Sequence, residues 1–188
     1  MSLGPAIGIV FAFVFFFLGI FLLIAILFLL NLQNTFKAAA PENRKLPPAN
    51  VWLLLIPLFN FFYFFIVVRR LTETIIAEYY AKGQPLENPK PTYAVGMALA
   101  VLMVVSLAIS FLQMPNTIGT YSAMGNGNFE EAMIQANSSS GALSSLSGLI
   151  SVAYFILWIV YWVQTGSYKN KMRILPNNKS ESEIFGGM

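Results

Sequence analysis

Few residues in this 188-residue chain have the types and spacing that chemistry requires. Glu73 and Glu78 are the acids of one polar stretch. Five residues apart they do not stack on a helix, where neighbours are three or four apart, so paired-carboxylate catalysis has little support and both read as solvated-face residues. Pro57 and Asn60 are stranger, because they interrupt the apolar run NVWLLLIPLFNFFYFFIVVRR, residues 50–70. In a helix Pro57 has no amide to donate to the Leu53 carbonyl, and its ring crowds that carbonyl. Asn60 follows three residues on, near the same face. Three uses fit this pair: a helix kink with Asn60 bonded to another helix at a residue such as Ser106 or Ser110, a polar pocket at mid-depth, or the tip of a re-entrant hairpin. The kink is the expected reading, since no charged residue lies within the long apolar runs to serve as ion ligand or relay.

Other chemistry is thinner. The chain has no Cys and no His, which removes thiolate nucleophiles, disulfides, most zinc and copper sites and histidine proton relays. It contains no Gly-rich phosphate loop, metal box or nucleophile elbow, so no catalytic residue, metal or cofactor is expected. Asn137 in NSS and Asn178 in NKS match the glycosylation triplet, a pattern frequent by chance, and receive no role. A net charge of +3 comes from 11 Lys and Arg against 8 Asp and Glu with no dense basic block, which argues against nucleic acid as partner.

The elements that must position these residues are written for lipid. Hydrophobic residues make up 57% of the chain and charged residues 10%, against about 25% charged in soluble domains. Four apolar runs predict an all-α integral membrane protein with four transmembrane helices in a small bundle, over about 7–32, 51–68, 93–112 and 146–164. The first run lacks a basic leader and exceeds a signal-peptide core of about 7–15 residues, so it reads as a span, one that faces lipid widely. The second is predicted to be Pro-kinked and to extend into the cytoplasm as a juxtamembrane helix, 69–82, with Asn50 as N-cap, Arg69 and Arg70 anchoring the interface and Gly83 as stop. The third carries small residues, Gly96 and Ala100 among them, and the fourth carries Ser144, Ser147, Gly148 and Ser151. These smooth faces predict that the two helices pack closely. Trp158 and Trp162 suit an interfacial aromatic belt. Between the last two runs a short helix is expected near Asn128, with Glu130 and Glu131 in its first turn. Residues 169–188 read as a basic, then disordered, tail.

Counting basic residues orients the bundle. With four spans the second loop and tail hold eight Lys and Arg and share a side with the N-terminus, while the other loops hold three, so both termini are expected in the cytoplasm. Lys37, Arg44 and Lys45 then lie outside, close to span ends. A re-entrant hairpin around Pro57 places all 11 inside and moves the N-terminus out, at the cost of non-helical backbone at membrane depth. The full span is the expectation, since an 18-residue run is long enough to cross.

The pattern NRKLPPANVWLLLIPLFNFFYFFIVVRRLTETI, within residues 43–82, resembles a segment of small uncharacterised multi-span bacterial membrane proteins, in which a VW..LIPLFN run leads into a polar helix. The resemblance implies a bacterial cytoplasmic (inner) membrane and no activity. Together these readings lead to the expectation of a non-enzymatic accessory or scaffold subunit of a larger membrane complex, with the lipid bilayer and other membrane subunits, or itself, as partners. The alternative is a small transporter or channel component that uses the break at Pro57 and Asn60.

Overall fold

In the computed structural model of the protein, residues 4–138 and 141–176 are described, and they are helical throughout their regular structure. Helix α1, Gly4–Ala38, is built from a long apolar run dominated by Phe, Leu and Ile. Two 3₁₀ segments follow, Pro41–Asn43 and Pro48–Leu55, each opened by a proline whose missing amide costs nothing at a first turn. Helix α2 is Phe59–Ala81, α3 is Tyr93–Gly125, α4 is Phe129–Ser138 and α5 is Ala142–Ile174.

Three of these helices are long and apolar enough to cross a membrane: α1 from Phe11, α3, and α5 from Ser144, with mean hydropathies of 3.3, 2.6 and 2.0. The expected fourth span is absent among the described residues. The run over 51–68 is not one kinked helix but two pieces that double back on each other. From Ala40 to Asn50 the upstream piece meets α2 progressively nearer its start. The Ala40 amide reaches Glu78, the Lys45 amide reaches Thr74 at 3.0 Å, and Asn50 lies across from Tyr63. Such receding partners define an antiparallel hairpin with its bend at Ile56–Leu58. Asn50 sits inside the Pro48–Leu55 segment and caps nothing.

The third apolar run also differs from expectation. Helix α3 continues through Pro115 to Gly125, so much of the loop read over 113–145 is helix. Its end and that of α2 are alike. Gly83 adopts φ 65°, its amide bonds the Tyr80 carbonyl and the Gln84 amide bonds the Tyr79 carbonyl, closing a Schellman cap that a β-carbon would oppose. Gly127, φ 79°, repeats the motif with Met124 and Ala123. The α4 helix begins one residue after Asn128 with Glu130 and Glu131 in its first turn. At the C-terminal end, α5 carries Lys169, Lys171 and Arg173 within the helix, and residues 177–188 of the expected tail lie outside the described residues.

The core gathers at one end. Leu32 and Phe36 of α1, Val67, Val68, Leu71 and Ile75 of α2, Leu99 and Ala100 of α3 and Tyr161 and Met172 of α5 are all buried. In lipid this packing is held by close van der Waals contact rather than by escape from water. The other end is open: α1 is exposed from Phe11 through Ile24, while Phe28, Leu29, Leu32 and Phe36 on its C-terminal part are buried.

Candidate functional site

Two places concentrate polar or strained groups, the hairpin bend and the junction at the basic end. At the bend the chain solves a backbone problem. The Ile56 amide bonds the Leu53 carbonyl at 3.1 Å, Pro57 has no amide, the Phe59 amide bonds the Pro57 carbonyl at 2.7 Å, and the Asn60 amide bonds the Ile56 carbonyl at 3.1 Å. Leu58 lies at φ 63°, ψ −43°, the centre of a three-residue γ-turn that side-chain-bearing residues rarely adopt. Thus Pro57 removes a donor at the turn where one would be hardest to satisfy. It ends one helical piece instead of kinking a continuous helix.

Asn60 does not do what its sequence suggests. Its Oδ1 is shielded from solvent without a hydrogen-bond partner. Ser110 donates to the Ser106 carbonyl of its own helix at 2.9 Å and lies exposed, so neither serine meets Asn60. The apolar side chains around the bend, Leu55, Ile56, Leu58 and Phe62, are exposed rather than shielded by α3 and α5.

The junction was missed by the sequence reading. Glu78, expected on a solvated face, is 1% exposed. Its Oε2 accepts from the Ala40 amide at 2.9 Å and from Asn43 Nδ2 at 2.8 Å, and its Oε1 pairs with Lys82 Nζ at 3.0 Å. Lys82 Nζ also donates to the Met172 carbonyl of α5 at 3.1 Å. Burial pushes the Glu78 carboxyl up, but the Asn43, Ala40 and Lys82 bonds outweigh it and hold its pKa below the ordinary value. A second set ties α1 to α5. Asn31 Nδ2 donates to Thr165 Oγ1 at 2.7 Å, Lys169 Nζ reaches Asn31 Oδ1 at 3.3 Å, and Thr35 Oγ1 donates to the Asn31 carbonyl at 2.7 Å. Glu78 lies four residues before Lys82, a spacing that pairs on a helix. Nothing local in the sequence indicates that Ala40 and Asn43 fold over it.

The remaining residues separate into packed and open groups. At Gly96 side chains of α2 and α5 crowd α3: a β-carbon there would stand 2.6 Å from Val68 Cγ1 and 2.7 Å from Tyr161 Cε2. Ala100 is fully buried one turn on. The small face of α5 is different. Gly148 has nothing within 4 Å of where its β-carbon would be, Ser151 is exposed, and Ser144, Ser147 and Ser151 donate to carbonyls of their own turn. Trp158 and Trp162 pack on Phe28 of α1, with centroids 5.4 and 5.8 Å away, and so join two helices. Arg69 and Arg70 are exposed and pair with Glu73 at 2.8 and 2.9 Å.

Chemically the arrangement joins segments through hydrogen bonds and ion pairs. Among the described residues no group of three His, Cys, Asp or Glu side chains could hold a metal. A cavity of about 290 Å³ at the basic end, lined by Tyr79, Leu86, Glu87, Tyr168 and Lys171, has its cation engaged by Glu87 at 3.4 Å and by the Tyr168 ring. No family model matches the chain, and neither the curated proteins nor the solved structures contain a match to it.

Proposed function

We propose that the chain is a non-enzymatic accessory or scaffold subunit of a larger assembly in a bacterial cytoplasmic membrane. It crosses with α1, α3 and α5 and dips into the cytoplasmic leaflet with the hairpin 48–68. The observation that carries the reading is the junction around Glu78. Among the described residues, polar groups with several partners each converge on fixing α1, the hairpin and α5 relative to one another, leaving long apolar helix surfaces free for neighbours. The threading draws support from charge. Every Lys and Arg among the described residues lies at the junction end, from Lys37 through Arg44, Lys45, Arg69, Arg70, Lys82 and Lys90 to Lys169, Lys171 and Arg173. The positive-inside rule makes that end cytoplasmic, which puts the C-terminus inside and, with three crossings, the N-terminus outside.

Purification in mild detergent tests the role. Stoichiometric membrane partners that persist through a second affinity step are expected, and their loss when Phe13, Phe17 and Phe21 on the open part of α1 become Ala is expected too. A small transporter or channel component remains the second reading because Asn60 Oδ1 sits unpartnered at the chain break. Solute flux through the purified protein in liposomes, lost in Asn60→Leu, would favour it over the scaffold.

A further inference from the structure

The two halves of the membrane domain differ in cross-section. Near the basic end five rods lie side by side: the C-terminal part of α1, the Pro48–Leu55 segment, the apolar start of α2, α3 and α5. Toward the other end α1, α3 and α5 continue, and α1 is exposed from Phe11 through Ile24. There α4 packs on α3 near Gly119, about 39 Å from the start of that helix and so beyond a hydrocarbon core of about 30 Å. The two extra rods stop at the bend. The apolar part of α2, Phe59–Val68, is 10 residues, or about 15 Å, half of a hydrocarbon core about 30 Å thick. With helix diameters of about 10–12 Å, each extra rod adds about 100 Å² to one leaflet. The exposed side chains of Leu55, Ile56, Leu58 and Phe62 suit contact with acyl chains around the tip.

We infer that the protein is a membrane wedge that binds preferentially to curved bilayer, with the leaflet at its basic end on the convex side. Resting on the hairpin threading proposed above, the inference adds to the protein partners of that reading a lipid surface of defined curvature. A body wider in one leaflet crowds that leaflet, and the crowding is relieved when that leaflet is the expanded one. In a small vesicle the outer leaflet is expanded, so the basic end faces outward there. The tip device serves this shape: Pro57 and the γ-turn at Leu58 let backbone reverse at mid-depth with the Ile56, Phe59 and Asn60 amides bonded.

The test uses the full chain, which has no native Cys, reconstituted into phosphatidylcholine vesicles, whose zwitterionic surface removes steering by lipid charge. Single cysteines at exposed Arg173 and at Leu58 are probed with a membrane-impermeant thiol reagent in small sonicated and in large extruded vesicles. The accessible fraction of Arg173→Cys is expected to rise in the small vesicles, with Leu58→Cys protected in both. Introducing Leu58→Asp, which draws the tip toward water, is expected to remove the size dependence while helix content is retained. Equal accessibility of Arg173→Cys in both sizes, with Leu58→Cys protected, overturns the wedge and leaves the threading intact. An unchanged size dependence in Leu58→Asp also overturns it, because the hairpin is then not its cause. Labelling of Leu58→Cys strikes the threading itself, and the wedge falls with it.

Discussion

The two ends of α1 differ more than any two helices of the molecule do. Its C-terminal third is locked: Phe28, Leu32 and Phe36 are buried, Asn31 and Thr35 bond to α5, and the chain just beyond it hangs on Glu78. Its preceding turns, Phe11 to Ile24, are as apolar and as helical yet exposed. The lesson is that apolar composition alone does not assemble a membrane domain. Lipid tails satisfy Phe and Leu as well as a neighbouring helix does. What distinguishes the locked end is polar groups with specific partners and one glycine, Gly96, that leaves room for Val68 of α2 and Tyr161 of α5.

The comparison breaks first at Glu78. Replacing it with Ala strands the Ala40 amide, Asn43 and Lys82 together, and hydrogen bonds to charged groups contribute about 1.5–3 kcal/mol. Lys82 stays partly in water, which holds the expected loss to about 2–3 kcal/mol in detergent melts. Lowering pH does the same more gradually. The Glu78 carboxyl is held below its ordinary value. Its contribution is therefore complete above the unfolded pKa of about 4.3 and is lost as pH falls through the lower folded value. The wild-type melting temperature should fall in that acid range, with a smaller fall in Glu78→Ala.

Next is a matched pair of glycines. Gly96→Ala forces a β-carbon against Val68 and Tyr161 and should cost about 1–3 kcal/mol, as overpacking does. Gly148→Ala meets open space, so it should leave the melt unchanged or raise it by about 0.5–1 kcal/mol from helix propensity alone. Equal losses at both positions would show that the open end of α5 is packed after all. The smallest effect is expected at Asn60→Leu. An unsatisfied buried oxygen costs about 1–3 kcal/mol, of which Leu recovers a part, so the variant should melt at or slightly above wild type. Clear destabilisation would reveal a partner for Asn60.

Features governed by neighbours in sequence were legible there. Gly83 followed by Pro85 marks the end of α2, and Asn128 with Glu130 and Glu131 marks the start of α4, because caps and dipoles are local. Gly96 and Ala100 fall where backbones meet, since only small residues permit that approach. The hairpin was not legible as the expected arrangement. Eighteen apolar residues satisfy a length criterion whether the chain crosses or turns back, and only the placement of Lys37, Arg44 and Lys45 hinted at the difference. Glu78 escaped because helical periodicity describes α2 in isolation, whereas its burial comes from a segment 35 and more residues upstream. The third helix runs past its apolar stretch, through Pro115 to Gly125, because a helix can continue beyond the apolar run that makes it visible in sequence.

In the proposed threading the chain between α1 and α2 dips into the membrane and returns to the same side. Cysteines placed singly at Glu42, Asn128 and Arg173, all exposed, report this in intact cells treated with an impermeant thiol reagent. Labelling is predicted at Asn128→Cys alone, with Glu42→Cys and Arg173→Cys reached only after the cells are permeabilised. Labelling of Glu42→Cys in intact cells alongside Asn128→Cys, with Arg173→Cys protected, would mean that the run through Pro57 crosses the bilayer and would contradict the hairpin.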